Sequence, residues 1–238
     1  MSVPGIVSSP GLIGQPAPII WSLVGNTYSN DSSTINYPSG IQAGDIIVFI
    51  DKAVIQKTSS GAVSPPSNVV PSGITQIVSN TIQISSGGFN KTSARLTSSI
   101  RRATSQLSGS ITGMLGGSGV GGTGGHTRKC MAVFRGSSPF TGMVISGVSS
   151  DTGTDATSDS IPSGSGISPL MVLAFSSWPA SELSLTNYSG RFGPGNPGVS
   201  MAWRFFNSNE IPINCTATLS TASTGNILQT CFVQCTTT

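Results

Sequence analysis

The chain has 238 residues, of which only 8% are charged: eleven Lys or Arg and eight Asp or Glu, with one His and a formal net charge of +3. A soluble domain ordinarily carries roughly 25% charged residues, so polarity here comes from Ser, Thr, Asn and backbone amides. The chain is therefore poor in the titratable groups that acid–base catalysis requires. Such scattered charge argues against a nucleic-acid surface, and no window reaches the roughly twenty apolar residues of a spanning helix. Thirty Gly and fifteen Pro are spread along the whole length, the pattern of short strands joined by frequent turns.

In chain order, residues 1–20 form the first unit. Pro4, Pro10, Pro16 and Pro18 break its apolar run before signal-peptide length, and no cationic segment precedes it. Repeated prolines fix φ and remove donors, which predicts an extended docking arm ahead of a single domain over 21–238. Gly44-Asp45 then turns into Ile46–Ile50, whose unbroken apolar run predicts a central strand buried on both faces. A polar loop with Pro65, Pro66 and Pro71 leads to two short strands, Ile74–Val78 and Thr81–Ser85, expected to pair. In Thr92–Leu107, Leu96, Ile100 and Leu107 fit either a helix or a strand, and the Ser/Thr content favours the strand.

Gly116–Gly125 (GGSGVGGTGG) reads as a flexible surface tip. Strands follow at Lys129–Arg135 and Met143–Val148, then a loop over Ser149–Ser160 and a very apolar, central strand at Leu170–Phe175. The last third gives Val199–Phe206, Ile213–Leu219 and Ile227–Gln234, separated by turns at 207–210 and 221–226. About nine or ten strands without a long helix predict an all-β antiparallel sandwich, jelly-roll-like.

The motifs carry little chemistry. His126, in GGHTRK, is the single imidazole and reads as a solvated loop residue. The glycine stretch lacks the Gly-Lys-Ser/Thr opening of a phosphate loop and runs into a strand. Asp151, Asp155 and Asp159 lack the alternate spacing and bidentate Glu of a calcium loop, and Asp45 and Asp51 read as turn residues. Arg95, Arg101, Arg102, Arg128 and Lys129 form the cationic clusters, with no interleaved aromatics for stacking bases; a subunit contact or solvated rim fits them. Catalytic, cofactor and metal residues are therefore expected to be none.

Cys130, Cys215, Cys231 and Cys235 read as buried thiols, although Cys215 and Cys231 would face each other if 225–226 closed a hairpin. Trp21, Trp178, Trp203, Phe205 and Phe206 suit core packing. If the surface has a glycan or partner contact, Trp178, Tyr188 and Trp203 are its candidates.

Several phrases in order carry a resemblance: AGDIIVFID at 43–51, VVPSGITQI at 69–77, SGSITGM at 108–114, KCMAVFRG at 129–136, PLMVLAFSSW at 169–178 and AWRFFNS at 202–208. Together they resemble a family of small all-β structural proteins of tailed-phage and prophage virions. The glycine stretch is long for that pattern, and His126 has no counterpart in it. The resemblance implies a β-sandwich on the particle exterior with no cofactor and no catalytic residue. The expected role is a tail-fibre, tail-tip or adhesion-related subunit; a capsid decoration protein and a carbohydrate-binding module are the alternatives. Expected partners are other virion proteins, further copies of the chain in a homo-oligomer such as a trimer, and a host-surface glycan; nucleic acid and membrane insertion are not expected.

Overall fold

The computed structural model describes residues 19–57, 63–86, 90–115, 117–118, 125–153, 158–159, 170–176, 183–193, 199–206, 215–219 and 226–236. Among these, every regular element is a strand: β1 (Trp21–Asn30), β2 (Thr34–Asn36), β3 (Ile46–Lys57), β4 (Thr75–Ser86), β5 (Asn90–Arg102), β6 (Ser110–Thr112), β7 (Gly117–Ser118) and β8 (His126–Gly136). They continue with β9 (Gly142–Gly153), β10 (Ser158–Asp159), β11 (Leu170–Ser176), β12 (Leu183–Thr186), β13 (Gly190–Phe192), β14 (Val199–Phe205), β15 (Cys215–Leu219) and β16 (Asn226–Thr236).

Two main sheets make an antiparallel β-sandwich. The first has the order β1-β8-β3-β5-β4 and the second β13-β14-β11-β16-β9. The short β7 joins β3 in parallel at Ile55 and Gln56, just beyond Val54, where the pairing of β3 with β8 ends. Two smaller sheets, β2-β6 and β10-β15-β12, complete the pairing.

The apolar run of β3 explains the layering. Ile46, Val48 and Ile50 point to one side and pack in a cluster with Phe134, Trp203, Ile227 and Val233 between the main sheets. Ile47 and Phe49 point the other way, into a second cluster with Ile35, Ile41, Ile74, Met131 and Val133. The strand is thus buried on both faces, as its sequence predicts, and the first sheet is a middle layer. Each such side chain contributes about 1.5–3 kcal/mol on leaving water.

β5 is a strand, and its Ser/Thr content has a structural reason. Leu96 and Ile100 face the second sheet, while Ser93, Thr97 and Ser99 are buried on the opposite face. There, segment 63–73 is fastened over the strand: Thr97 Oγ1 donates to Asn68 Oδ1 at 3.0 Å and Arg95 Nε to the Pro66 carbonyl at 2.7 Å. Buried hydroxyls with partners cost little.

Three expectations are corrected. The two short strands over 74–85 are one twelve-residue strand, β4, paired with β5 instead of with itself. Ser79 and Asn80 look like a turn, yet Ser79 Oγ lies 2.9 Å from Thr97 Oγ1 and Asn80 Nδ2 donates to Ser150 Oγ at 3.1 Å. The loop expected from Ser149 begins later, because β9 runs on to Gly153. Finally, β15 pairs with β10 and β12, whereas β16 pairs with β11 and β9, so Cys215 and Cys231 do not face each other across a hairpin.

Cys130, Cys231 and Cys235 are free and buried. Burial pushes the thiols of Cys231 and Cys235 up to about 12 and that of Cys130 higher still, which keeps them protonated and unreactive. Most of the glycine stretch lies outside the described residues.

The registers give the sandwich two distinct ends. At one end Trp21 pairs with Gly136 and Ile46 with Arg102; at the other Asn30 pairs with Arg128 and Ser86 with Asn90. Strand rise separates the ends by about 35 Å along β8. Residues 1–18 join at the first, or root, end, beside Gly136. The chain leaves for and returns from the glycine stretch at the opposite, or loop, end, through β7 and His126. Gly153 lies at the loop end too, as the contact of Ser150 with Asn80 shows.

Candidate functional site

Charge is concentrated on β8, whose sequence HTRKCMAVFRG carries Arg128, Lys129 and Arg135. All three carboxylates whose side chains the structure describes are paired with these cations. Arg128 Nη1 lies 2.6 Å from Asp31 Oδ1, Lys129 Nζ 3.0 Å from Asp51 Oδ1, and Arg135 Nε 2.7 Å from Asp45 Oδ1. The Asp31 pair is exposed and contributes little. The other two organise the fold.

Asp51 and Lys129 sit directly opposite each other in the β3–β8 register, with side chains 1% and 0% exposed. Asp51 Oδ2 accepts the Met114 N–H at 2.5 Å, and Lys129 Nζ donates to the Met114 carbonyl at 2.6 Å. The pair therefore clamps segment 113–114 to the middle sheet immediately before the glycine stretch. A Cβ at Gly113 would lie 2.1 Å from Asp51 Oδ2, so only glycine allows this approach. Burial pushes the Asp51 carboxyl up to about 6, against the opposing pull of the Lys129 ammonium and the Met114 N–H. Asp51 is thus a core ion-pair partner and not a turn residue; Asp45 does serve its turn, accepting the Gln42 N–H at 2.8 Å.

One register step towards the loop end, Lys52 opposes Arg128, and Val54 opposes His126. Lys52 is 1% exposed, and burial, followed by the charge of Arg128, lowers its ammonium to about 7. His126 is not a solvated loop residue. It opens β8 half-buried, and burial, then Lys52 and Arg128, lower it to about 4, so the imidazole is neutral at pH 7.

The Lys52 environment sets a pH dependence. Its folded pKa of about 7 lies below its ordinary 10.5, so between these values the unfolded chain holds more protons and stability rises with pH. The buried thiols act oppositely above their ordinary 9.0, because the folded state keeps protons that the unfolded chain releases. Urea midpoints should therefore climb from pH 7 to about 9 and fall beyond. Lys52→Met should flatten the climb; a wild-type midpoint that declines from pH 7 to 9 would contradict this assignment.

The root end carries a cleft of about 330 Å³, lined by Gln42–Asp45, Arg102 and Arg135–Phe140. Asp45, 1% exposed, takes Arg135 Nε on Oδ1 and Nη2 on Oδ2, both at 2.7 Å, in a two-point fork. Across the cleft, the Arg102 guanidinium stacks 4.3 Å from the Phe140 ring centroid and donates from Nη2 to the Phe140 carbonyl at 2.6 Å. Phe140 packs in turn on Trp21, with centroids 5.9 Å apart. The chain root is stapled to the same wall: Ile20 N–H donates to Ser137 Oγ at 2.9 Å, and Ser137 N–H to the Ile20 carbonyl at 2.8 Å.

The aromatic candidates do not form a surface platform. Trp203 is a core residue, 6% exposed, with Phe134 edge-on at 5.4 Å and Gly190 so close that a Cβ there would meet indole carbons at 2.4 Å. Its ring therefore has no open face for a sugar. Tyr188 is half-buried between β12 and β13, and Trp178 lies outside the described residues. The cations named from sequence are not gathered on one face. Arg95 and Arg101 bond Pro66 O and Tyr37 Oη on the outer side of the middle sheet, whereas Arg102 faces Phe140. Asp151 and Asp159 fall on β9 and β10, and Asp155 lies outside the described residues.

Comparison of the chain with protein-family models, curated proteins and solved structures finds no match.

Proposed function

We propose that this chain is a peripheral structural subunit of a tailed-phage virion, a tail-fibre, tail-tip or adhesion-related component with a jelly-roll-like sandwich as its body. It attaches through residues 1–18 and the root end, and presents the loop end outward as a homo-oligomer. The observation that carries this reading is the two-ended architecture. The arm joins beside Gly136 and Ser137, while the glycine stretch leaves from the other end of β8, about 35 Å away. Such polarity suits an attachment that docks with one end and displays the other. The ordered phrases over 43–208 supply the link to phage particles. Ion pairs that hold strands and turns in place fit a chain whose charges serve durability.

Gradient-purified particles analysed by quantitative mass spectrometry test the proposal. The subunit should co-purify at the low copy number of a tail component. A copy number large enough to coat the shell would transfer it to capsid decoration, and its absence from particles would overturn the virion assignment.

A further inference from the structure

We propose that the root-end cleft is a carboxylate-binding site that receives an acidic side chain of a neighbouring virion protein, with Arg102 as its anchor. The inference rests on the virion reading and names the partner chemistry of the docking end. Its basis is an imbalance of charge. Of the three ionic groups lining the cleft, Arg135 and Asp45 neutralise each other through their fork. Among the described residues, Arg102 meets the carbonyl of Phe140 at 2.6 Å, that of Thr141 at 3.4 Å and the Phe140 ring, and its charge also reaches the thiol of Cys235, which burial keeps protonated. None of these carries negative charge, so the described residues of the cleft retain one net positive charge.

The geometry favours a carboxylate over other anions of the same charge. A guanidinium is a planar fork of five N–H donors that matches a carboxylate at two points. Stacking on Phe140, itself 4% exposed and packed against Trp21, holds that fork in place, which reduces the ordering cost of binding. Gln42 and Ser138 add polar side chains to the wall. A volume of about 330 Å³ admits one side chain or a small acid.

Position selects a protein partner. The cleft lies beside Ile20, where residues 1–18 join, and those eighteen residues contain no Asp, Glu, Lys or Arg. An arm of this composition offers apolar and backbone contacts but no ionic register. A charge-assisted pair at Arg102, next to the arm's root, would supply that register, because matched charges fix orientation as well as affinity.

The test is phage complementation with Arg102→Gln. The variant should stay folded, with a melting temperature within roughly 5 °C of wild type for the lost contacts to Phe140, yet its amount on purified particles should fall by at least about tenfold, the scale of losing a charge-assisted interfacial bond. Wild-type incorporation of the variant would overturn the cleft proposal while leaving the virion reading intact; wild-type chain missing from particles would overturn the virion reading. A second measurement does not depend on the variant's folding. Titration of the purified wild-type protein with glutarate into the millimolar range should shift the Arg102 Nε–H resonance saturably, leaving Arg95 unmoved. No such shift would overturn the carboxylate site, and saturable binding accompanied by normal incorporation of the variant would overturn the virion-protein partner.

Discussion

Lys129→Met should cost about 3–5 kcal/mol of folding stability, the usual penalty for leaving a buried charge without its partner. The side chains of Lys129 and Asp51 are 0% and 1% exposed, so water cannot compensate Asp51 once the ammonium is gone. The Met114 carbonyl loses its donor in the same step. In a chain of this length such a loss lowers the melting temperature by roughly 10 °C. Adding Asp51→Leu to Lys129→Met should recover only part of it, because the uncompensated charge is gone while the buried Met114 N–H and carbonyl both remain without partners. Urea unfolding of wild type, both single variants and the double variant checks this. A single-variant loss below about 1 kcal/mol would place the pair among surface bridges in energetic weight.

Deleting residues 2–18 should abolish incorporation into particles and leave a folded sandwich. The boundary matters. Ile19 is fully buried in the main core, where a Cβ on Gly136 would already lie 2.7 Å from its Cγ2, and Ile20 exchanges two hydrogen bonds with Ser137. A deletion carried through residue 20 would therefore remove core and staple along with the arm, and a failure to incorporate could not be assigned to docking. Circular dichroism of the 2–18 deletion should match wild type, while mass spectrometry of complemented particles should find no subunit. Incorporation at wild-type levels would show that the root end docks without the arm.

The parts of the fold that were legible in sequence are those in which one strand's own pattern decides its environment. IIVFI in β3 and LMVLAF in β11 are apolar without alternation, and each strand is paired on both sides. β5 was harder, because Ser93, Thr97 and Ser99 have the composition of a wet face. Only the covering segment 63–73 makes that face dry. Ser79-Asn80 resembles a turn in isolation and becomes mid-strand once Thr97 and Ser150 supply hydrogen bonds. Sequence neighbours also misled at β15 and β16, where adjacency suggests a hairpin and the sheets separate the two strands.

The functional features were less legible, since each is assembled from distant segments. Asp51 and Lys129 lie 78 residues apart, and only the β3–β8 register brings them together. A signal was present all the same: Asp51-Lys52 interrupts an apolar run that otherwise continues into Ala53-Val54, and a charged dipeptide within a central strand needs partners. Arg102 was visible as a cation. Its separation from Arg95 and Arg101 follows from strand alternation, and its stacking on Phe140 from the turn after β8.

Placement on the particle is tested most directly by imaging. An epitope inserted between Gly121 and Gly122, within the glycine stretch that the loop end carries, should be reached by gold-labelled antibody on intact, purified particles. The label should stand outward at the tail or its tip. Intact particles that stay unlabelled, from cells in which the tagged chain is expressed and folded, would contradict an exterior virion subunit whose loop end faces away from its attachment.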